Sequence, residues 1–440
     1  MAGDFRYATG RTAVPWPALG EAYSGEDVAE IVKFLLGPGE DKAAYRKAAV
    51  QAEKAIAALA EVGVPATKLT TGGQVSKLET AVKKMLGAKH ALFVSSWTAG
   101  SELAHAFAGV GPGDEVIVPP ITFFATITCP LVAGAKVVFA DVDPVTLNLD
   151  PADVARKITK RTKAIVPVHL GGYPVDMAPL MKLARKHGIT VIEDAAHAFG
   201  ASYKGKMVGT IGHFGAFSFH EVKNVTSFGE GGVLVTNLAC GKDFAKARFI
   251  GFDGSRRIKN WLYDVVALKG AGGYFPGRMC PATEIQALGL MLQIKRLKKI
   301  IAARRAAARY LTSRFRKVEG LIPQSLDTKD IKATYHLYLL QVDPSKLGGD
   351  IQDLKAELGE RGVTQIPHFA PLYKFRALRD LGYDTSRMHE SCPVAEEAFN
   401  HRFTHLPLYG LTAEQIEYLA DAVIDSAAAL KRKKSSGRRG

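Results

Sequence analysis

The residues with the most chemical promise surround a lysine that follows a serine at the end of an apolar run. The segment reads Phe217-Ser218-Phe219-His220-Glu221-Val222-Lys223-Asn224, and a glycine-rich turn, Phe228-Gly229-Glu230-Gly231-Gly232, comes next. A lysine in such a place is either a solvated cation or, when desolvated or flanked by cations, an amine that sheds its proton and attacks a carbonyl. A second run, Ile192-Glu193-Asp194-Ala195-Ala196-His197, ends an apolar strand in a carboxylate. Strand ends line the ligand crevice of a doubly wound sheet. Such a carboxylate can cap a turn, bind a metal or ribose hydroxyls, or pair with a protonated ring nitrogen, and no companions at metal-ligand spacing stand near it. The third run, Ser95-Ser96-Trp97-Thr98-Ala99-Gly100, lies between a strand and a helix. Free N–H groups and the helix dipole make that junction a seat for phosphate, although serine and threonine also stand there simply as caps. Taken together, the three runs suit a lysine that forms a Schiff base with a phosphorylated aldehyde.

The elements that must position these residues alternate. From Lys68 to about Asn237, short β-rich runs are expected at 91–95, 115–119, 136–140, 164–168, 190–193, 216–219 and 233–236. Helices at 101–108, 151–158 and 177–187 separate the earlier ones, the middle one capped by Asp150 with Pro151 at its first position. Near-continuous Val/Ile runs joined by helices predict a mostly parallel sheet covered on both faces. The 216–219 and 233–236 pair leaves no room for a crossover helix and is expected to be antiparallel. Ahead of this region, helices are predicted over 21–36, with Ser24 as cap, and over 41–62. A long helix follows Thr283 to about Arg316, and smaller α+β units fill 336–430. The expected domains are therefore an N-terminal helical segment (1–66), a large domain (67–305), a small C-terminal domain (306–428) and a disordered basic tail (429–440).

Composition excludes several classes. With 440 residues, 47% hydrophobic and 23% charged, the chain has ample material for two cores and none of the signs of wholesale disorder. No apolar run reaches the ~20 residues of a membrane helix, and Met1-Ala2-Gly3-Asp4-Phe5-Arg6 shows no signal pattern. Cys129, Cys240, Cys280 and Cys392 are too scattered for a disulfide framework or a metal site. The expectation is a reduced, soluble, cytoplasmic protein that binds neither membrane nor metal. Of the net charge of +15, six come from Lys431, Arg432, Lys433, Lys434, Arg438 and Arg439 in the last ten residues, which leaves +9 on the body. No aromatic-interleaved basic stripe supports nucleic-acid binding, and the field of the body suits anionic small substrates.

Several blocks, in order, resemble the sugar aminotransferases of the DegT/DnrJ/EryC1/StrS family, which use pyridoxal phosphate on the aspartate-aminotransferase (type I) fold. They are Leu69-Thr70-Thr71-Gly72, Gly113 to Pro119, Thr122-Phe123-Phe124-Ala125-Thr126, Pro167-Val168-His169-Leu170, Glu193 to Gly200, Gly229-Glu230-Gly231-Gly232, Cys392 to Glu397 and Leu406-Pro407-Leu408-Tyr409. The resemblance runs through roughly residues 66–425. It implies an α/β fold, with a mostly parallel seven-stranded sheet in the large domain, a smaller α+β domain, and a homodimer with both active sites at the interface. By position, Lys223 would be the aldimine lysine and proton carrier, and Asp194 the partner of the pyridinium nitrogen. Phe123 would stack on the ring, and His197 would sit beside it near the 3′-oxygen. Ser218 and Thr98, with the N–H groups of Thr98 and Ala99, would hold the phosphate.

The chain also departs from the pattern. Trp97 stands where the phosphate turn commonly has glycine, with its indole N–H as an available donor. Pro276 stands two residues before Arg278-Met279, where the family usually offers an asparagine to the neighbouring subunit's cofactor. The expected reaction moves an amino group from L-glutamate or L-glutamine to a keto-sugar or related keto-polyol. His368, Tyr373 and Arg402 are candidate substrate contacts that could equally be structural. Two alternatives are a sugar dehydratase of the same fold, whose relatives carry histidine in place of the lysine, and a cofactor-binding regulator without catalysis.

Overall fold

The computed structural model describes residues 21–64, 66, 68–258, 262–366 and 368–436. Its centre is a seven-stranded sheet. The strands are β1 (His90–Val94), β2 (Glu115–Val118), β3 (Lys136–Phe139), β4 (Thr162–Ile165), β5 (Thr190–Asp194), β6 (Phe214–Ser218) and β7 (Gly232–Thr236), in the spatial order β1-β7-β6-β5-β4-β2-β3. All pairings from β3 to β6 are parallel, and β7 runs antiparallel to both β6 and β1. The expected mostly parallel sheet with one antiparallel part is what forms. Its strands are buried on both faces because helices cover each side, so an unbroken run such as Glu115-Val116-Ile117-Val118 carries no polar alternation.

Ahead of the sheet, helices α1 (Gly25–Leu35) and α2 (Lys42–Val62) form a hairpin, with Ser24 and Asp41 as caps. Helix α3 (Gly73–Leu86) follows and buries Val75, Leu78, Val82 and Leu86. Between β1 and β2 lies α4 (Trp97–Ala108), capped by Ser96, and α5 (Ala125–Val132) follows β2. A long helix, α6 (Glu284–Phe315), starts at a capping box made by Thr283 and Gln286. Its first half packs Leu290, Leu297 and Ile301 into the large-domain core with Phe199 and Phe217. Its second half gives Ala307, Ala308, Leu311 and Phe315 to a separate core with Tyr338, Leu354 and Val423. The helix thus contributes to two separate cores, changing from one to the other between Ile301 and Ala307. The smaller unit has a sheet of β8 (Leu321–Ile322), β9 (Tyr338–Val342) and β10 (Phe403–Leu406), with β9 central and antiparallel to both neighbours. Helices α7 (Ile351–Glu360), α8 (Pro393–Glu397) and α9 (Ala413–Ser436) complete it.

The tail needs a correction. Residues expected to be disordered from 429 onward are helical to Ser436, because α9 continues and Lys433 Nζ lies 2.7 Å from Glu357 Oε1. Residues 437–440 lie outside the described residues. Among those described, no helix is long and apolar enough to cross a membrane, and no group of three or more His, Cys, Asp or Glu side chains could hold a metal ion.

One buried carboxylate ties the start of the large domain to the long helix. Glu284 accepts hydrogen bonds from the N–H groups of Gly72 and Gln74, both at 2.6 Å, and of Val75 at 3.3 Å. It therefore sits on the unpaired N–H groups and positive end of α3. Glu284→Ala should lower the unfolding free energy by about 2–3 kcal/mol. Denaturant titration at constant m-value measures this, and a loss below about 0.5 kcal/mol, the range of inert surface changes, contradicts it.

Candidate active site

Alternation along β5 sorts the two carboxylates at its end. Glu193 turns to one face, wholly buried. There it accepts from the N–H groups of Gly209, Ile211 and Gly212 at 2.6–2.8 Å and contacts His169 Nε2 at 3.1 Å. Every position around it is taken by the protein, and its work is to hold the loop that precedes β6. Asp194 turns the other way and is 4% exposed. Its Oδ2 accepts from Thr126 Oγ1 at 2.8 Å and its Oδ1 from the N–H of Ala196 at 3.1 Å. No arginine or lysine forms an ion pair with it among the described residues. Burial raises its pKa, and the Thr126 and Ala196 bonds and the Lys223 charge pull the other way. A buried carboxylate with two hydrogen bonds and no cation partner is costly to keep ionised unless a cation is supplied to it.

Lys223 lies in the turn between β6 and β7, its N–H donated to His220 O at 2.9 Å. Burial depresses its amine from the ordinary lysine value to about 8, against the opposing pull of Asp194 and Glu230. Each of Lys223 and Asp194 therefore feels the charge of the other. Close to neutral pH an appreciable part of the amine is unprotonated, which is what attack on a carbonyl requires. His197 is also near: burial, then the Lys223 charge, keep its imidazole well below its ordinary pKa. Its Nδ1 accepts from the N–H of Gly171 at 3.3 Å, so the neutral ring carries its proton on Nε2. Its ring stacks on His336 with centroids 4.4 Å apart.

The start of α4, where the phosphate was expected to sit, brings two corrections. The indole N–H of Trp97 donates to Ala216 O at 3.1 Å, and the side chain packs with Cys129 and Ala216. Trp97 therefore fixes α4 against β6, and its indole N–H is spent. The Ala99 N–H is likewise spent on the Ser96 hydroxyl, the helix cap, at 3.1 Å. The donors at this turn that have no acceptor among the described residues are the backbone N–H groups of Trp97 and Thr98, the Thr98 hydroxyl and the hydroxyl of Ser218, which only receives a long bond from the His220 N–H at 3.4 Å. Gly232 lets β7 run against this turn, since a Cβ there would stand 2.2 Å from Ser96 O. Phe123 holds the entrance of α5 with its ring 61% exposed, free to cover a planar ligand.

The three candidate substrate contacts separate. His368 stacks on Phe369, 5.0 Å between centroids, and Phe369 in turn lies 5.9 Å from His197. Tyr373 instead is buried, with its hydroxyl donated to Glu396 Oε2 at 2.8 Å and its ring against Phe139, and its role is packing. Arg402 lines a cavity of about 270 Å³ with Pro144, Gln341, Pro393, Val394, Glu397 and Ala398, none of which is a candidate site residue. Thr126, which bonds Asp194, and Asn224, which bonds His336 Nδ1 at 3.0 Å, had no assigned role in the sequence reading. Both fall inside or beside the quoted blocks, and that position is the signal that pointed to them.

The family model for the DegT/DnrJ/EryC1/StrS aminotransferases matches residues 50–424. The chain belongs to this family. By family it is a pyridoxal-phosphate-dependent sugar aminotransferase. The spore coat polysaccharide biosynthesis protein SpsC of Bacillus subtilis is 37% identical over 369 residues, covering 81% of this chain and 90% of SpsC. Among solved structures, the aminotransferase TlmJ of Streptoalloteichus hindustanus shares a TM-score of 0.73 and 28% identity, over 94% of this chain and 98% of TlmJ. The PLP form of Spr1654 from Streptococcus pneumoniae gives the same TM-score and identity, over 83% and 94% of the two chains. The free donors at Thr98 and Ser218, the unpaired Asp194 and the desolvated Lys223 fit the phosphate, ring nitrogen and aldehyde of that cofactor. A pH titration should therefore show the apoprotein taking up pyridoxal phosphate with a midpoint near 8, set by Lys223. Visible absorbance reports the uptake, and a midpoint near the ordinary lysine value of about 10.4 contradicts the assignment.

Proposed function

We propose that the family reaction in this protein transfers the amino group of L-glutamate or L-glutamine to a keto-sugar or a related keto-polyol. Support for the acceptor comes from the relative named for polysaccharide biosynthesis and from the positive balance of the chain, which favours an anionic acceptor. One observation carries the catalytic assignment: the buried, unpaired Asp194 and the desolvated Lys223 lie within electrostatic reach of each other at the open ends of β5 and β6. Pyridoxal phosphate supplies an aldehyde that joins amines and a ring that, once protonated, draws off the electrons of a broken C–H bond.

The chain's own groups do the rest. Lys223, whose desolvated amine is partly unprotonated near neutral pH, would hold the cofactor at its aldehyde and, once freed by an amino donor, would move the proton at the donor's Cα. Asp194, oriented by Thr126 and Ala196, holds the proton on the ring nitrogen; a charge-assisted bond of about 1.5–3 kcal/mol corresponds to more than one unit in that nitrogen's pKa. His197, with its proton on Nε2, would donate to the cofactor's ring oxygen, and the exposed Phe123 would cover a face of the ring. Thr98 and Ser218 take the phosphate. The same residues would serve the return half of the reaction, with Lys223 moving the proton in the opposite sense as the acceptor's ketone takes up the amino group.

A homodimer is part of this proposal. Ile285, Leu288 and Leu292 leave an apolar stripe of one helical period on α6, 45–54% exposed, and Met279 just before it is 58% exposed. The stripe lies beside the glycine-rich turn, since Phe228 of that turn packs against Gly289. A facing subunit would cover it and close the site.

Lys223→Ala tests the proposal. The visible absorbance of the loaded protein should vanish and turnover should fall by about a thousandfold or more. In the unaltered protein, L-glutamate alone should convert the bound cofactor to its amine form and release a 2-oxo acid. Retention of absorbance and turnover in the variant, or no response to any amino donor, overturns it.

A further inference from the structure

The stretch 333–337, just ahead of β9, leaves the small domain's sheet and threads into the large domain. Thr334 donates its N–H to Gly172 O at 3.0 Å and its hydroxyl to His197 O at 2.8 Å. Arg304 of α6 donates Nη1 to the carbonyls of His336, at 3.1 Å, and Tyr335, at 3.5 Å, fixing the stretch from behind. His336 itself is 4% exposed, and its ring lies on that of His197 at 4.4 Å with a tilt of 29°.

The hydrogen-bond directions follow from what each group can do. Asn224 contacts two neighbours, His197 O at 3.5 Å and His336 Nδ1 at 3.0 Å. A carbonyl only accepts, so the amide NH2 of Asn224 faces His197 and its oxygen faces His336. His336 therefore donates from Nδ1. Asn224 is the next residue after Lys223, in a turn closed by the Lys223 N–H to His220 O bond.

We propose that His336 is a positioning residue for Lys223: it pins Asn224 through the Nδ1–H to Oδ1 bond and braces His197 with its ring, so the 333–337 stretch sets how deeply the lysine amine sits. This rests on the assignment of Lys223 as the cofactor-binding amine. Asp194 of β5 and Glu230 of the following turn act on that amine, and its charge is in turn felt by His197, by His336 itself and by His368. On the other side of His336 stand Arg304 and His405.

Two variants separate the bond from the packing. His336→Phe keeps a ring against His197 and loses the donor, whereas His336→Asn keeps a donor at the same reach and loses the ring. Apoprotein of each is titrated with pyridoxal phosphate across pH, following visible absorbance, with the thermal midpoint as a control for folding. The Phe variant should take up the cofactor with its pH midpoint raised by about one unit, as the loosened amine regains water. Its kcat should fall about tenfold while the donor's KM stays within about twofold. His336→Asn should recover most of both effects, and Asn224→Ala should reproduce the Phe result without adding to it in the double variant. If the unaltered protein binds the cofactor through Lys223 but the Phe and Ala variants keep its midpoint, or if the Asn variant fails as badly as Phe, the proposal is wrong. Failure of the unaltered protein to take up the cofactor at all would instead defeat the reading on which it rests.

Discussion

Everything at this site depends on the cost of taking two opposite charges out of water without letting them satisfy each other. Asp194 is buried and hydrogen-bonded but forms no ion pair, and Lys223 is buried enough to bring its amine to about 8. A direct ion pair would neutralise both and leave nothing for a ligand. Asp194 instead spends its hydrogen bonds on Thr126 and the Ala196 N–H, and stays within electrostatic reach of Lys223 without pairing with it.

The scaffold is what makes such an arrangement tolerable. Parallel strands end together, so β5 and β6 deliver Asp194 and Ser218 to one edge, while the antiparallel β7 returns the chain past Ser96 at a distance only glycine allows. Glu193, one residue before Asp194, shows the contrast. Satisfied by three backbone N–H groups and His169, it is inert, and it stiffens the loop that leads into β6. Trp97 plays a similar part on the phosphate side by fastening α4 to Ala216.

Strand positions were legible because buried parallel strands leave continuous Val/Ile runs, and the antiparallel pair because too few residues separate 219 from 233 for a crossover. Helix caps at Ser24 and Asp150 were equally local signals. What could not be read is where a side chain finds its partner across the fold. The indole of Trp97 meets a carbonyl 119 positions away, and Asn224 meets His336 across 112. Ala99 failed for a nearer reason: the Ser96 hydroxyl competes for the same N–H that a phosphate would use. The end of α9 was misjudged because a run of lysines reads as solvated, whereas Lys433 has Glu357 to pair with.

The central claim is that one particular amine among the chain's many lysines carries the cofactor. Borohydride reduction of the loaded protein, followed by proteolysis and mass spectrometry, locates that amine directly. The account predicts the reduced pyridoxyl group on the peptide containing Lys223 and on no other. Its appearance on a different lysine, or its absence from every peptide of a protein that is visibly loaded, would contradict the account.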